Sequence, residues 1–431
     1  MEILKKALFL FILLFLLFIA IWKQRSAYSS QSIQGVYETT PLPDFSVSSF
    51  TGKRFQEQFD LYIKDLPGLK GIFIRIRNQV DYSLFSIPHA NKIVRGKNGY
   101  LFGEENILAF LGKNFAGEKY LDVKIRELKN FQDELWKKKK ILLMVIFTPD
   151  KASFFPEMIP GRYADKKQVQ NNYLYYSLKC SESGINMIDF NRYFILAKDT
   201  TRYPLFTKTG VHWSSYGALL AADSLIHYLE MKLNTRLPEI VVERIEKSSI
   251  PKDDDDDISR TMNLFCRIQQ PELAYPKFHF RSDQTTKRPS ALFVGDSYYW
   301  TWYRQGIVRN IFRIMEFWYY DQDVYPESFF KKRITSDIKL KNAIERQNVI
   351  ILLQTNNWKD YDFGHGFVDR AWPEYDTSAD NRIRNIEEYL TKDPENIRFY
   401  KKKAKDLHIP LESVIRRDAI YAGNTLLLKK K

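Results

Sequence analysis

Pro289–Arg304, PSALFVGDSYYWTWYR, is the stretch that decides how the chain is read. Ala291–Val294 is a short apolar run, Gly295-Asp296-Ser297 interrupts it, and an aromatic run with helical potential starts at Tyr298. The order is therefore strand, tight turn, helix. Such an arrangement sets Ser297 on an exposed turn at the C-terminal end of a strand. Its hydroxyl lies beside the free N–H groups and positive dipole end of the next helix, the donors an attacking serine needs for a developing oxyanion. Ser297 reads as a nucleophile on this pattern. The same tripeptide also makes an ordinary turn with an N-cap, so it does not decide the matter alone.

A serine is a weak nucleophile near neutral pH and needs a base, normally histidine, brought to it by the fold. The chain has six histidines. His212 stands in Leu205–Ala222, LFTKTGVHWSSYGALLAA, in a loop just ahead of a small and apolar run that reads as a helix starting near Ser214 or Ser215. Rigid structure places such a residue while leaving it accessible. His89 lies in a loop, His227 in the helix after His212, and His279, His365 and His408 have no comparable setting.

These segments resemble the alginate O-acetylation proteins of the AlgX and AlgJ type, an SGNH-hydrolase-like family. The resemblance is carried by Val94–Phe102 (VRGKNGYLF), Phe147–Pro160 (FTPDKASFFPEMIP), the His-Trp of Leu205–Ala218, the Gly-Asp-Ser of Leu292–Tyr298 and Asn348–Asn357 (NVIILLQTNN), in the family's order. The histidine precedes the serine, a permuted order relative to ordinary SGNH esterases. The family's Asp-x-His departs here to Gly210-Val211-His212, so the residue expected to orient the imidazole is missing from its usual place. The resemblance implies a periplasmic location for the bulk of the chain, anchored in the inner membrane. It also implies acetyl transfer to hydroxyls of an exported polysaccharide, with the acetyl group supplied by a membrane-bound O-acyltransferase partner.

The rest of the chain fits that frame. With 431 residues, 44% hydrophobic and 27% charged, it is long enough for one large α/β domain with appendages and is not a disordered composition. Lys5-Lys6 precede an apolar run from Ala7 to Trp22, followed by Lys23 and Arg25, with no small-x-small cleavage site. An uncleaved signal anchor over residues 1–25 is the expectation. Residues 26–92 read as a juxtamembrane linker and lead-in helix, 93–379 as an SGNH-like α/β domain, and 380–431 as a helical accessory segment. Cys180 and Cys266 are compatible with one disulfide but are too few for a framework, and free cysteines are the default. The run Asp253–Asp257 lacks the glycine and spacing of a calcium loop and reads as a solvated acidic loop. No metal or cofactor motif is evident. The formal net charge of +14 is dispersed and favours anionic surfaces, lipid head groups or an acidic polysaccharide. No nucleic-acid motif is present, and none is expected as a partner.

Lys97-Asn98-Gly99 between two short apolar pieces predicts a hairpin. Glu118–Lys138 has Leu121, Ile125, Leu128, Phe131 and Leu135 on one helical face and feeds the strand-length run Ile141–Phe147. Helix and strand alternation of this kind predicts a parallel sheet flanked by helices, with sites outside the strands' C-terminal ends. Thr148–Lys151, Ser297 and Gln354–Trp358 fall at such ends. His212 is then the expected base and Ser297 the nucleophile. Asp150 and Asp296 are candidates to orient the imidazole. Gly295 and the Ser297 N–H border the expected oxyanion site, to which the resemblance adds Asn356 or Asn357. Tyr298, Trp300, Trp358 and Arg304 are candidate glycan contacts, although most of the aromatics beside Ser297 must pack in the core. An esterase using the same pair, and a non-catalytic glycan-binding or scaffold relative suggested by Gly210, remain alternatives.

Overall fold

Three six-residue runs, LLMVIF, SALFVG and VIILLQ, are buried at every position, which only a sheet covered on both faces allows. The structure is a computed structural model. It describes residues 40–64, 67–164, 170–355, 363–376, 389–407 and 409–429, with a few single positions besides. The expected anchor lies almost wholly outside the described residues, among which no helix is long and apolar enough to cross a membrane.

In chain order the strands are β1 (Ile93–Arg95), β2 (Leu101–Gly103), β3 (Leu142–Phe147), β4 (Met187–Asp189), β5 (Glu239–Ser248), β6 (Leu273–Arg281), β7 (Ser290–Gly295), β8 (Ile314–Tyr319), β9 (Asp323–Tyr325) and β10 (Val349–Gln354). The helices used below are α1 (Pro67–Phe85), α2 (Glu118–Lys139), α3 (Lys151–Phe154), α4 (Asn172–Glu182), α5 (Ser215–Leu233), α6 (Asp257–Thr261), α7 (Tyr299–Arg304), α8 (Pro394–Leu407) and α9 (Leu411–Lys429). The central sheet runs β4-β3-β10-β7-β8-β9. Its first five strands are parallel, while β9 returns antiparallel beside β8. The sheet is thus mixed rather than wholly parallel. Tyr320 and Asp321 take left-handed φ values of 53° and 51°, turning the chain back after β8. Two Arg370 nitrogens, at 2.6 and 2.8 Å from the Asp321 carboxylate, fasten that turn.

Alternation along the strands divides the interior. Met144, Ile146, Ala291, Phe293, Ile351 and Leu353 face one layer, with α5 and the aromatics of α7. Leu143, Val145, Leu292, Val294, Ile350 and Leu352 face the other, with the apolar stripes of α2 and α4. The period of two in the strands and of 3.6 in the helices is what makes both layers close. Gly295 is confined: a Cβ there would meet the Leu353 Cβ at 2.4 Å. The absence of a side chain lets β7 leave the sheet directly against β10, and this fixes where Ser297 emerges.

The predicted hairpin is present as β1–β2, with Asn98 at φ 53° in its turn. Helix α1 packs on this side through Tyr82, which joins Leu101, Ile258 and Met262, and through the Asn78 amide donating to the Met262 carbonyl. Helices α8 and α9 form their own small core of Tyr400, Ala404, Val414 and Ile415. The long antiparallel ribbon β5–β6 extends from the end of α5 and carries residues 249–272 at its tip. Cys180 is buried, Cys266 is exposed, and both are free.

Candidate active site

Parallel register brings the ends of β3, β10 and β7 level, since Gln354 pairs with Phe147 and Leu352 with Val294. The segments after β3 and β7 therefore open on one rim. Asp296 caps the turn after β7, its Oδ1 accepting from the Tyr298 N–H at 3.0 Å. Ser297 stands next, half-buried, ahead of α7.

His212 arrives from the loop before α5. Its Nε2 lies 2.7 Å from Ser297 Oγ, eighty-five positions away in sequence. Its Nδ1 lies 2.5 Å from Asp257 Oδ2. Asp257, His212 and Ser297 form one hydrogen-bonded line. The imidazole side chain is 13% exposed and the Asp257 side chain 19%, so the line is sheltered but open at Ser297.

Asp257 was expected in a solvated loop, and the structure corrects this. Asp257 Oδ1 accepts from the N–H groups of Val211 and Ile258 at 2.9 and 2.7 Å. Burial by itself would raise its carboxyl, but the charge and hydrogen bond of His212 and these two N–H donors outweigh burial and hold it below the ordinary value. The neighbouring acids are engaged as well. Asp254 pairs with Arg304 and Asp256 with Arg260. Asp255 accepts from the Ser215 N–H at the start of α5, and burial pushes its carboxyl up to about 7. The run is a folded tip of the β5–β6 ribbon.

The two acids expected to orient His212 do other work. Asp150 is buried and caps α3, accepting from the Ser153 N–H at 2.8 Å and from the Asn106 amide at 2.9 Å. Asp296 caps the turn under Ser297. Gly210 explains why the acid comes from elsewhere. A Cβ there would meet Thr207 Oγ1 at 2.7 Å and the backbone oxygens of Asp255 and Asp254 at 3.0 and 3.2 Å. The ribbon tip occupies the space that a side chain at 210 would need.

The expected glycan contacts also divide. Tyr298 is core: its hydroxyl lies 2.6 Å from the Pro149 carbonyl and 3.2 Å from that of Val211, and its ring stands edge-on to His212 at 4.9 Å. Arg304 is committed to Asp254. Trp300 is half-buried against Tyr325 and Phe317. Asn356, Asn357 and Trp358 lie outside the described residues. The sequence placed Phe317–Tyr320 near a strand end but did not foresee that the Tyr320 phenol hydrogen-bonds with Ser297, its ring edge-on to His365 at 5.1 Å. Nothing local in YYDQD marked it, because its approach to Ser297 depends on the left-handed turn after β8.

Lys151 supports the His212 loop from beneath. It is 1% exposed, and its Nζ donates to the carbonyls of Gly210 and Lys208 at 2.6 and 3.0 Å. Burial lowers its ammonium from 10.5 to about 7, opposed by the charge of Asp257. A lysine depressed in the folded state binds fewer protons than when unfolded between those two values, so stability rises with pH across that interval and is penalised below about 7. Lys151→Met should flatten this rise, measured as denaturant midpoints from pH 7 to 10.5. An unchanged slope in the variant would assign the rise to other groups.

A serine at a strand end, aligned with histidine and aspartate on a mixed, mainly parallel sheet between helices, defines an SGNH-hydrolase-like α/β protein. More particularly, residues 93–300 match the family model described as "SGNH hydrolase-like domain, acetyltransferase AlgX". Among solved structures, the chain is similar to the O-acetyltransferase domain of Pseudomonas putida AlgJ, with 15% identity, 65% of this chain and 99% of that one covered, and a TM-score of 0.40. It is also similar to Pseudomonas aeruginosa AlgX, with 16% identity, 66% and 67% covered, and a TM-score of 0.42. For Bacillus cereus PatB1 the values are 11% identity, 55% and 90% covered, and 0.33. No curated protein sequence matches the chain.

Proposed function

We propose that this chain is an O-acetyltransferase that acetylates hydroxyls of an exported polysaccharide through Ser297. The observation that carries the reading is the unbroken line from Asp257 through His212 to Ser297. Ser297 Oγ attacks the acetyl carbonyl of a donor as its proton passes to His212 Nε2. The bond from carbonyl carbon to donor oxygen breaks, and that oxygen takes the proton from His212. An acceptor hydroxyl then gives its proton to His212 and attacks the acetyl-serine, and Ser297 recovers the proton as it leaves. Asp257 holds the imidazole in the tautomer that keeps Nε2 free to accept, and stabilises the imidazolium. In this reading the Ser297 N–H donates to the oxyanion.

The family match supports acetyl transfer as the reaction class. The resemblance read from the sequence supports the rest: an anchor over residues 1–25, a periplasmic domain, and a membrane-bound O-acyltransferase delivering the acetyl group. With Asp257 in the line, Gly210 no longer argues for a non-catalytic relative. Esterase activity differs only in the acceptor. Incubation with a chromogenic acetyl ester and a short oligosaccharide should give oligosaccharide carrying one added acetyl group, read by mass spectrometry. Release of acetate alone, with no acetylated sugar across a range of oligosaccharides, would make the protein an esterase.

A further inference from the structure

Ser297 Oγ meets a second side chain besides His212: the Tyr320 phenol, which has no part in the proton transfers. Strand register puts it there. β8 runs parallel to β7 with Tyr319 opposite Gly295, so Tyr320 leaves the sheet beside the turn that carries Ser297. Its N–H donates to the Gly295 carbonyl at 2.8 Å and is spent on the sheet. This strand end therefore offers the rim a side-chain donor in place of a backbone one. The turn that aims it is tied twice over, since Arg370 holds the Asp321 carboxylate and Thr335 Oγ1 donates to the Asp321 carbonyl at 2.6 Å. The Tyr319 ring lies with its centroid 4.2 Å from that of Tyr320, and the two phenols hydrogen-bond. His365 stands edge-on to the same ring from a loop in which Gly364, His365 and Gly366 take φ values of 72°, 57° and 88°. A histidine adopts left-handed backbone at a cost, and here that backbone sets the imidazole against Tyr320.

Both rings are kept neutral. Burial, the hydrogen bond with Tyr319 and the charge of Asp296 push the phenol above its ordinary value, so it stays protonated, and burial pushes the His365 imidazole down to about 4. A fixed, neutral O–H beside the nucleophile is a donor already in place when negative charge develops. We infer that Tyr320 is a catalytic residue: as Ser297 Oγ bonds the acyl carbon, the phenol shifts from Oγ to the carbonyl oxygen and joins the Ser297 N–H in holding the oxyanion. The two oxygens share one carbon, so the shift is short. The phenol keeps its proton throughout, and no bond to it forms or breaks. This deepens the proposed function and rests on it for acyl chemistry at Ser297.

Tyr320→Phe deletes the hydroxyl and keeps the ring against Tyr319 and His365. With the full chain and a small acetyl ester, kcat should fall by about 10²–10³-fold, the loss expected for one side-chain oxyanion donor, at nearly constant KM. The pH midpoint of kcat/KM should match the parent's, because His212 remains the base, whereas a residue that only positioned Ser297 and His212 would move it. Binding gives a readout without turnover. A small boronic acid, which forms a tetrahedral anion on a serine oxygen, should bind the variant more weakly by a factor similar to the loss in kcat. The unreactive amide analogue of the ester, which stays trigonal and neutral, should bind both proteins alike. Thermal midpoints of variant and parent show that the variant is folded. Equal kcat in variant and parent, equal loss of affinity for the boronic acid and the amide, or a shifted pH midpoint would each overturn the inference. Hydrolysis without transfer to any oligosaccharide would sink the transferase and leave Tyr320 its role, whereas a parent whose Ser297 takes up neither acetyl nor boronate would end both.

Discussion

Ser297→Ala should lower kcat/KM for a small acetyl ester by about 10⁵–10⁶-fold, the loss expected when the nucleophile of such a triad is removed. The size follows from what the hydroxyl does. Without Oγ there is no acyl-enzyme, and the remaining donors can only polarise a carbonyl for attack by water. The fold should not register the change. Ser297 is half-buried on a turn whose capping contact belongs to Asp296, and its hydroxyl bonds are to His212 and Tyr320. Thermal midpoints of variant and parent should therefore agree closely. A second readout guards against a contaminating esterase: mass spectrometry of the parent after rapid quenching should place an acetyl group on the peptide containing Ser297, and the alanine variant should carry none. Equal rates for parent and variant would end acyl chemistry at this residue.

Much of this site was legible because its parts are local. Gly295-Asp296-Ser297 announces its geometry through an abrupt break between an apolar run and an aromatic one. His212-Trp213 does so by preceding a helix of small residues. Their meeting depends only on strand order, and alternating helices and strands constrain that order strongly. Asp257 was not legible. Five identical residues in Asp253–Asp257 give no internal mark of which one points inward, and their distance from His212 is set by how the β5–β6 ribbon folds back over α5. A hint was present in Ile258 and Met262, two apolar residues that pin the segment after the acidic run to the core with Tyr82 and Leu101. Tyr298 shows the opposite error. A residue beside a nucleophile invites a role in binding, but a tyrosine whose hydroxyl ties the end of β3 to the His212 loop is spent on architecture. The antiparallel edge strand was not legible either, because the reversal after β8 needs Tyr320, a residue type that seldom takes positive φ, to join Asp321 in the left-handed region.

Asp257→Asn should cost about 10⁴-fold in kcat, the penalty for neutralising the third member of a Ser-His-Asp line while leaving its shape intact. An asparagine amide in place of Oδ2 donates toward Nδ1, which favours the tautomer with its proton on Nε2 and leaves no lone pair to accept from Ser297. The loss should be greatest near neutral pH and should recover in part as pH rises, because hydroxide can then substitute for the base. Gly210 supplies the sharper part of the prediction. If an acid anywhere beside the imidazole were enough, Gly210→Asp would rescue Asp257→Asn by restoring the family's Asp-x-His. The structure forbids it, because a Cβ at 210 falls 2.7 Å from Thr207 Oγ1 and 3.0 Å from the Asp255 carbonyl. The added side chain would have to push away the ribbon tip, which includes Asp255 and its hold on the Ser215 N–H at the start of α5. Gly210→Asp alone should therefore lower both stability and activity, and the double variant should be no faster than Asp257→Asn. Recovery of activity in the double variant would show that the acid's place is interchangeable. Its failure, with Asp257→Asn itself well folded, would mean that glycine at 210 and aspartate at 257 form one arrangement: the small residue makes room for the loop that brings the carboxylate.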